Sequence, residues 1–187
     1  MIQINNELRD QVYKCACEHK FHEVERSADF WFEMIITELS EVVAADRNGR
    51  YGYIDLFKQQ MIDGWDEYHS KIFEKYLKDS VGDEFADVII RCLDFAGLKD
   101  IDVDHYDSWL SLDKEKEKGV FCWDIPEFCF PLNRIMTDYS LSEFAKINSL
   151  IKMVVEYCKV NDIDIFFHIE QKIKYNELRP RLNGKKY

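Results

Sequence analysis

Glycine and proline are scarce in this chain, 7 and 3 among 187 residues. Together they make about 5% of the sequence, where roughly 12% is ordinary. That shortage excludes a collagen-like repeat, a linker-rich chain and a turn-dense all-β design. Among the six cysteines there is no Cys-x-x-Cys pair, and Cys15-Ala-Cys17 is not zinc-knuckle spacing. They are expected to be reduced thiols that fill core or surface. Positive charge is also short: 25 Lys and Arg face 36 Asp and Glu, a formal net charge of −11. Broad nucleic-acid or anionic-membrane binding needs a positive field, so neither partner is expected. A metal or a small basic patch can still bind phosphates. Apolar runs fall far short of the ~20 residues that a membrane helix needs. Residues 1–10 are polar and acidic, with no basic region before an apolar stretch, which is unlike a signal peptide. The expected location is cytoplasmic.

What is present is apolar and helical. Hydrophobic residues make 47% of the chain, with 13 Phe and 4 Trp, which excludes wholesale disorder. A chain of this length suits one domain, residues 1–187, burying roughly 70% of its extended-chain surface without disulfide staples. Ile4, Leu8, Val12 and Cys15 share one stripe at helical spacing, so a first helix is expected over about 2–20. Ser27 as N-cap and Gly49 as C′ residue frame a second helix, 28–47. Residues 54–78 read as helical, bent near Gly64. Ser80 or Asp83 opens another helix with the stripe Phe85, Ile89, Cys92 and Ala96, and Gly97 closes it.

Residues 99–139 break the pattern with two of the prolines, the run Lys114-Glu-Lys-Glu-Lys118 and the aromatics Phe121, Trp123, Phe128 and Phe130. They read as an inserted irregular segment, part solvated and part packed down. Ser140-Leu-Ser-Glu143 has capping-box spacing, and Phe144, Ile147, Ile151, Val154 and Cys158 continue as a helix. Asp162 or Asp164 caps a last helix to about Leu178, stopped by Pro180. No segment alternates as a sheet requires. The fold class is all-α, a bundle around four long helices.

Two of these helices carry paired carboxylates: Glu38-Leu-Ser-Glu41 on the second and Glu84-Phe-Ala-Asp87 on the fourth. At i and i+3 the two acids of a pair project from one face, about 5–6 Å apart at Cβ. Each pair borders an apolar stripe, Ile35, Leu39 and Val42 in one case and Phe85 and Val88 in the other. If the stripes pack together, four negative charges meet in a partly dehydrated groove that needs protons or cations. Hard oxygen ligands of this kind suit Mg²⁺ or Mn²⁺, which can bridge phosphate oxygens and activate water. A diiron carboxylate bundle needs Glu-x-x-His on two helices, and no Glu here is followed three residues later by His.

The C-terminal segment is out of character for an acidic chain. Lys172 and Asn176 share a helix face at i, i+4, Arg179 lies one turn on, and Arg181, Lys185 and Lys186 follow. This is either a solvated tail or a clamp for anionic phosphates.

Taken together, Glu38-x-x-Glu41, Glu84-x-x-Asp87 and Lys172-Ile-Lys-Tyr-Asn-Glu-Leu-Arg-Pro180 through Gly184-Lys-Lys-Tyr187 resemble the MazG-like nucleotide pyrophosphohydrolases. These belong to the all-α NTP pyrophosphatase superfamily, with the type II dUTPases as relatives. The resemblance covers about 25–98 and 140–187 and lies in the order of the motifs more than in any one of them. Thr37 stands where the family often has the first of a Glu doublet, and residues 42–83 make a long spacing. Asn183 replaces the usual His, and 99–139 matches nothing in the family.

The resemblance implies Mg²⁺-dependent hydrolysis of a nucleoside triphosphate to the monophosphate and pyrophosphate, as nucleotide-pool house-cleaning. Glu38, Glu41, Glu84 and Asp87 would hold the metal, with Mn²⁺ as a substitute. Glu38 or Glu41 would serve as base. Lys172, Arg179 and Lys185 would neutralise the triphosphate, and Asn176 would orient a phosphate or sugar. Trp31 and Trp65 are core candidates that also offer a ring on which a base can stack. A homodimer or dimer of dimers is implied as well. The rival reading is a non-catalytic helical interaction module, or an inactive relative, with an acidic face for a basic partner. Converging acids favour the enzyme; four outward-facing acids favour the module.

Overall fold

The computed structural model describes residues 2–62, 68–103 and 123–180. Those residues form eight helices and no strand, so the all-α expectation holds. The order is α1 (Asn6–Glu18), α2 (Ala28–Arg47), α3 (Ile54–Ile62), α4 (His69–Tyr76), α5 (Val81–Leu98), α6 (Ile125–Thr137), α7 (Glu143–Val160) and α8 (Ile165–Glu177). No described helix is long and apolar enough to cross a membrane.

Local chemistry sets the ends. Ser27 Oγ accepts from Phe30 N, starting α2, and Gly49 adopts φ +64 just past its end, in the left-handed region that favours glycine. Ser80 Oγ accepts from Asp83 N and opens α5, which places Asp83 and Glu84 in a first turn where the helix dipole favours anions. Asp164 caps α8 through Phe167 N. For α7 the cap is Ser142, which accepts from Ala145 N, in place of the expected Ser140. Ser140 instead bonds Asp138 through its own N–H and hydroxyl. The helix expected over 54–78 is two helices, α3 and α4, and Gly64 lies outside the described residues.

The centre of the molecule is α5. Thirteen of its 18 residues are buried, so it is enclosed nearly all round, with α1, α2, α7 and α8 packed against it. Ile35, Leu39 and Val42 of α2 meet Phe85, Val88, Ile89 and Cys92 of α5 in one apolar core with Ile147, Ile151 and Val154 of α7. Two glycines permit the close approach of neighbours. A Cβ at Gly97 would run into Tyr13 of α1, and one at Gly82 into the His168 ring of α8. Gly97 therefore does not close α5, which runs on to Leu98. Phe57, Phe73, Leu77 and Tyr175 form a smaller cluster under α3, α4 and α8.

The segment expected to be irregular contains α6. Its buried residues Ile125, Phe128, Cys129, Leu132 and Met136 follow helical spacing and pack toward α2 and α7, despite Pro131 inside the helix. Residues 104–122 lie outside the described residues. Of the described cysteines, Cys92, Cys129 and Cys158 are buried and free, and burial pushes all three thiols up, which suits inert filler.

Candidate metal centre

The α2–α5 contact that closes the core also brings the two acidic pairs together. Glu38, Glu84 and Asp87 each offer one oxygen, and these oxygens lie within 4.8 Å of one another. Glu38 is 4% exposed and Glu84 5%. Burying carboxylates this deeply is costly unless each oxygen has a partner. Glu38 Oε1 has one, the Nε–H of Arg91 at 3.0 Å. Glu38 Oε2 and Glu84 Oε2 have none among the described residues. Two buried, unsatisfied carboxyl oxygens facing a third carboxylate are the feature that a cation would satisfy.

The protonation chemistry agrees. Burial, followed by repulsion from Asp87, pushes Glu84 from 4.5 up to about 9, with Lys172 opposing. Glu38 is raised by burial and by Asp87, with Arg91 pulling it back. Without a cation the cluster keeps a proton near neutral pH; a divalent ion would take that proton's place.

Glu41 stands apart from this group. Its side chain is exposed and is not part of the ligand set, although its charge contributes to raising both Glu38 and Glu84. Three of the four expected ligands thus converge, and the fourth faces solvent beside them.

Beneath the cluster lies a cation. Lys172 reaches from α8 to Asp83 Oδ2 at 2.9 Å and Asp87 Oδ2 at 2.7 Å. Burial works against its charge, but Asp87 and Asp83 hold its pKa above the ordinary lysine range. Asp83 is wholly buried, and that burial pushes its carboxyl up to about 6 even with Lys172 beside it. Lys172, expected to meet substrate phosphates, is instead engaged with these two carboxylates.

A narrow cleft of about 70 Å³ opens beside the cluster, reaching Glu38 and Asp87 but not Glu84. Glu38, Asp87, Arg91 and Asp94 line one side of it, and Asn176 and Arg179 at the end of α8 line another. Asn176 Oδ1 has no partner among the described residues. The Arg179 guanidinium lies 5.4 Å from the Tyr175 ring centre, and its backbone carbonyl accepts from His19 Nε2 at 2.9 Å. The walls thus offer acids on one side and a guanidinium and amide on the other. Trp31 is buried, packed on His22 and Phe30, so it belongs to the core. Lys185 and Trp65 lie outside the described residues.

Three residues of the site were not read as such in the sequence: Arg91, Asp94 and Asp83, the last considered only as a helix cap. Glu84, Asp87, Arg91 and Asp94 fall at i, i+3, i+7 and i+10, one face of α5, and that spacing is the signal that finds the last two. Asp94, also buried, bonds His22 Nε2 at 2.7 Å. Comparison with known protein families, curated proteins and solved structures finds no match to this chain.

Proposed function

We propose that this protein hydrolyses a nucleoside triphosphate to the monophosphate and pyrophosphate, with a divalent cation, Mg²⁺ or Mn²⁺, held by Glu38, Glu84 and Asp87. One observation carries the reading. Unpartnered, buried oxygens of Glu38 and Glu84 stand with Asp87 in one cluster, and two of its members, Glu38 and Asp87, line a cleft together with Asn176 and Arg179. When bound, the ion would supply Lewis-acid polarisation of a phosphoryl oxygen and a lower pKa for water.

The chain's own groups take the remaining roles. Arg91 holds Glu38 in place as a charged hydrogen-bond donor. Arg179 offers a guanidinium to the negative phosphates, and Asn176 has an unsatisfied amide oxygen to orient a phosphate-bound hydroxyl or sugar. To Glu41, exposed and outside the ligand set, we assign the role of taking a proton from water. Water's oxygen joins one phosphoryl group as the α–β bridge breaks, and the proton leaves through Glu41. Pairing into a homodimer or dimer of dimers, with Lys185 of the tail acting in its own subunit or a neighbour's, and a cytoplasmic role in clearing unwanted nucleotides belong to the same proposal.

The test is a pyrophosphate-release screen over standard and modified ribo- and deoxyribonucleoside triphosphates with Mg²⁺. Release from at least one nucleotide, abolished by chelator, is expected. Metal binding with no turnover of any nucleotide would favour the inactive, non-catalytic reading.

A further inference from the structure

We infer that the Lys172 ammonium is a built-in counter-cation of the carboxylate floor, so that the substrate-free site takes one divalent ion rather than two. The inference rests on the metal reading above and adds to it the number of ions and the residue that sets that number.

The place of the ammonium is built from three helices. α8 carries Lys172, whose side chain is 5% exposed. α5 supplies Asp83 and Asp87, at 2.9 and 2.7 Å. α4 supplies the Phe73 ring, whose centre lies 5.6 Å from Nζ, and that ring is in turn stacked on Tyr175 at 4.5 Å. Lys172 does not line the cleft. The ammonium is spent on the carboxylates of Asp83 and Asp87.

Charge supports the same count. With Glu41 facing solvent and Asp94 bonded to His22, four carboxylates remain, Glu38, Asp83, Glu84 and Asp87, counted here as ionised, against two cations, Lys172 and Arg91. Two negative charges remain, which one divalent ion matches. Asp87 belongs to both halves, paired with Lys172 and grouped with Glu38 and Glu84. Asp83 is not in the ligand group: its Oδ2 accepts from Lys172 and from Asp79 N at 3.0 Å, while its buried Oδ1 has no partner among the described residues. Within the ligand group, the unpartnered oxygens of Glu38 and Glu84, both residues more than nine-tenths buried, mark where the single ion goes. With Lys172 removed, Asp83 and Asp87 become an uncompensated pair of hard anions, which is a second site.

Mn²⁺ binding without nucleotide, counted by equilibrium dialysis with electron paramagnetic resonance, tests this. The wild-type protein should bind one ion per chain. Lys172→Met, close in shape and uncharged, should bind two and melt lower without metal, with Mn²⁺ restoring the loss. Lys172→Arg, which keeps the charge, should still bind one. Two ions in the wild type overturn the inference and leave the metal reading standing. One ion in both wild type and a folded Lys172→Met also overturns it. If Lys172→Met does not fold even with Mn²⁺, the wild-type and Lys172→Arg counts decide, two ions in either overturning it. No ion in the wild type overturns the metal reading itself, and Lys172 is then an ordinary buried ion-pair partner.

Discussion

Glu84→Gln separates the proton from the ion in the carboxylate cluster. Glu84 goes from 4.5 in the free residue to about 9 in the fold, because burial and Asp87 disfavour its charge. The metal-free native state therefore binds a proton that the unfolded chain releases across that window. With fewer protons on the unfolded chain, stability falls as pH rises. The contribution is whole below about pH 4.5 and is lost progressively up to about pH 9. At its steepest one such group gives about 1.4 kcal/mol per pH unit. At roughly 2–4 °C per kcal/mol for a chain of this size, that is about 3–6 °C per pH unit.

Gln keeps the size of Glu84 and stands for its protonated form, so the variant should not show this slope. Glu38 and Asp83 are also raised, but they titrate in both proteins and cancel in the difference. Melting curves in chelator from pH 5 to 9 should run closest together at pH 5 and separate as pH rises, the wild type becoming the less stable. Adding Mg²⁺ at about 100 times its dissociation constant should stabilise the wild type by about 2.7 kcal/mol. It should move Glu84→Gln much less, since an anionic ligand is gone. Metal binding to the wild type at pH 7 should also release about one proton, read by calorimetry in buffers of different ionisation enthalpy. Parallel melting curves for the two proteins, with no proton released, would refute the assignment of a buried, protonated Glu84 as a metal ligand.

Two further outcomes follow from the proposed roles of Glu41 and Arg179. Glu41→Gln should lower kcat by about 10²–10⁴-fold, the usual worth of a general base, while metal affinity measured by calorimetry stays close to wild type; a large loss of metal affinity would make Glu41 a ligand instead. Arg179→Ala should raise KM about tenfold to a hundredfold, because a charge-assisted contact to phosphate is worth roughly 1.5–3 kcal/mol, with a melting temperature little changed. An unchanged KM would take Arg179 out of the binding site.

The sequence carried the start of α2 at Ser27 and its whole span, because cap, apolar stripe and terminal glycine agree there. It hid α6. Pro126 and Pro131 read as breakers, but proline is tolerated in a first turn, and the stripe Ile125, Phe128, Cys129, Leu132 and Met136 outweighs Pro131 once it can bury against α2 and α7. The acidic pairs were legible as pairs. Their fates differ because three residues turn a helix by about 300°, so the members of a pair stand about 60° apart. On α2 that offset leaves Glu38 under the contact and carries Glu41 past its edge into solvent. On α5 both acids stay near the contact, because the helix is enclosed on nearly every side. Lys172 could not be placed from its own segment. A basic residue on a polar helix end looks like a reach toward substrate, and only the docking of α8 on α5 turns it inward to Asp83 and Asp87.

The central claim is tested most directly by following one triphosphate, the best found in the screen, with Mg²⁺ by ³¹P NMR. The account predicts that the triphosphate signals give way to monophosphate and pyrophosphate in equal amounts, with no inorganic phosphate, and that chelator or Glu84→Gln stops the reaction. Release of inorganic phosphate and a diphosphate, or turnover that persists in chelator, would contradict it.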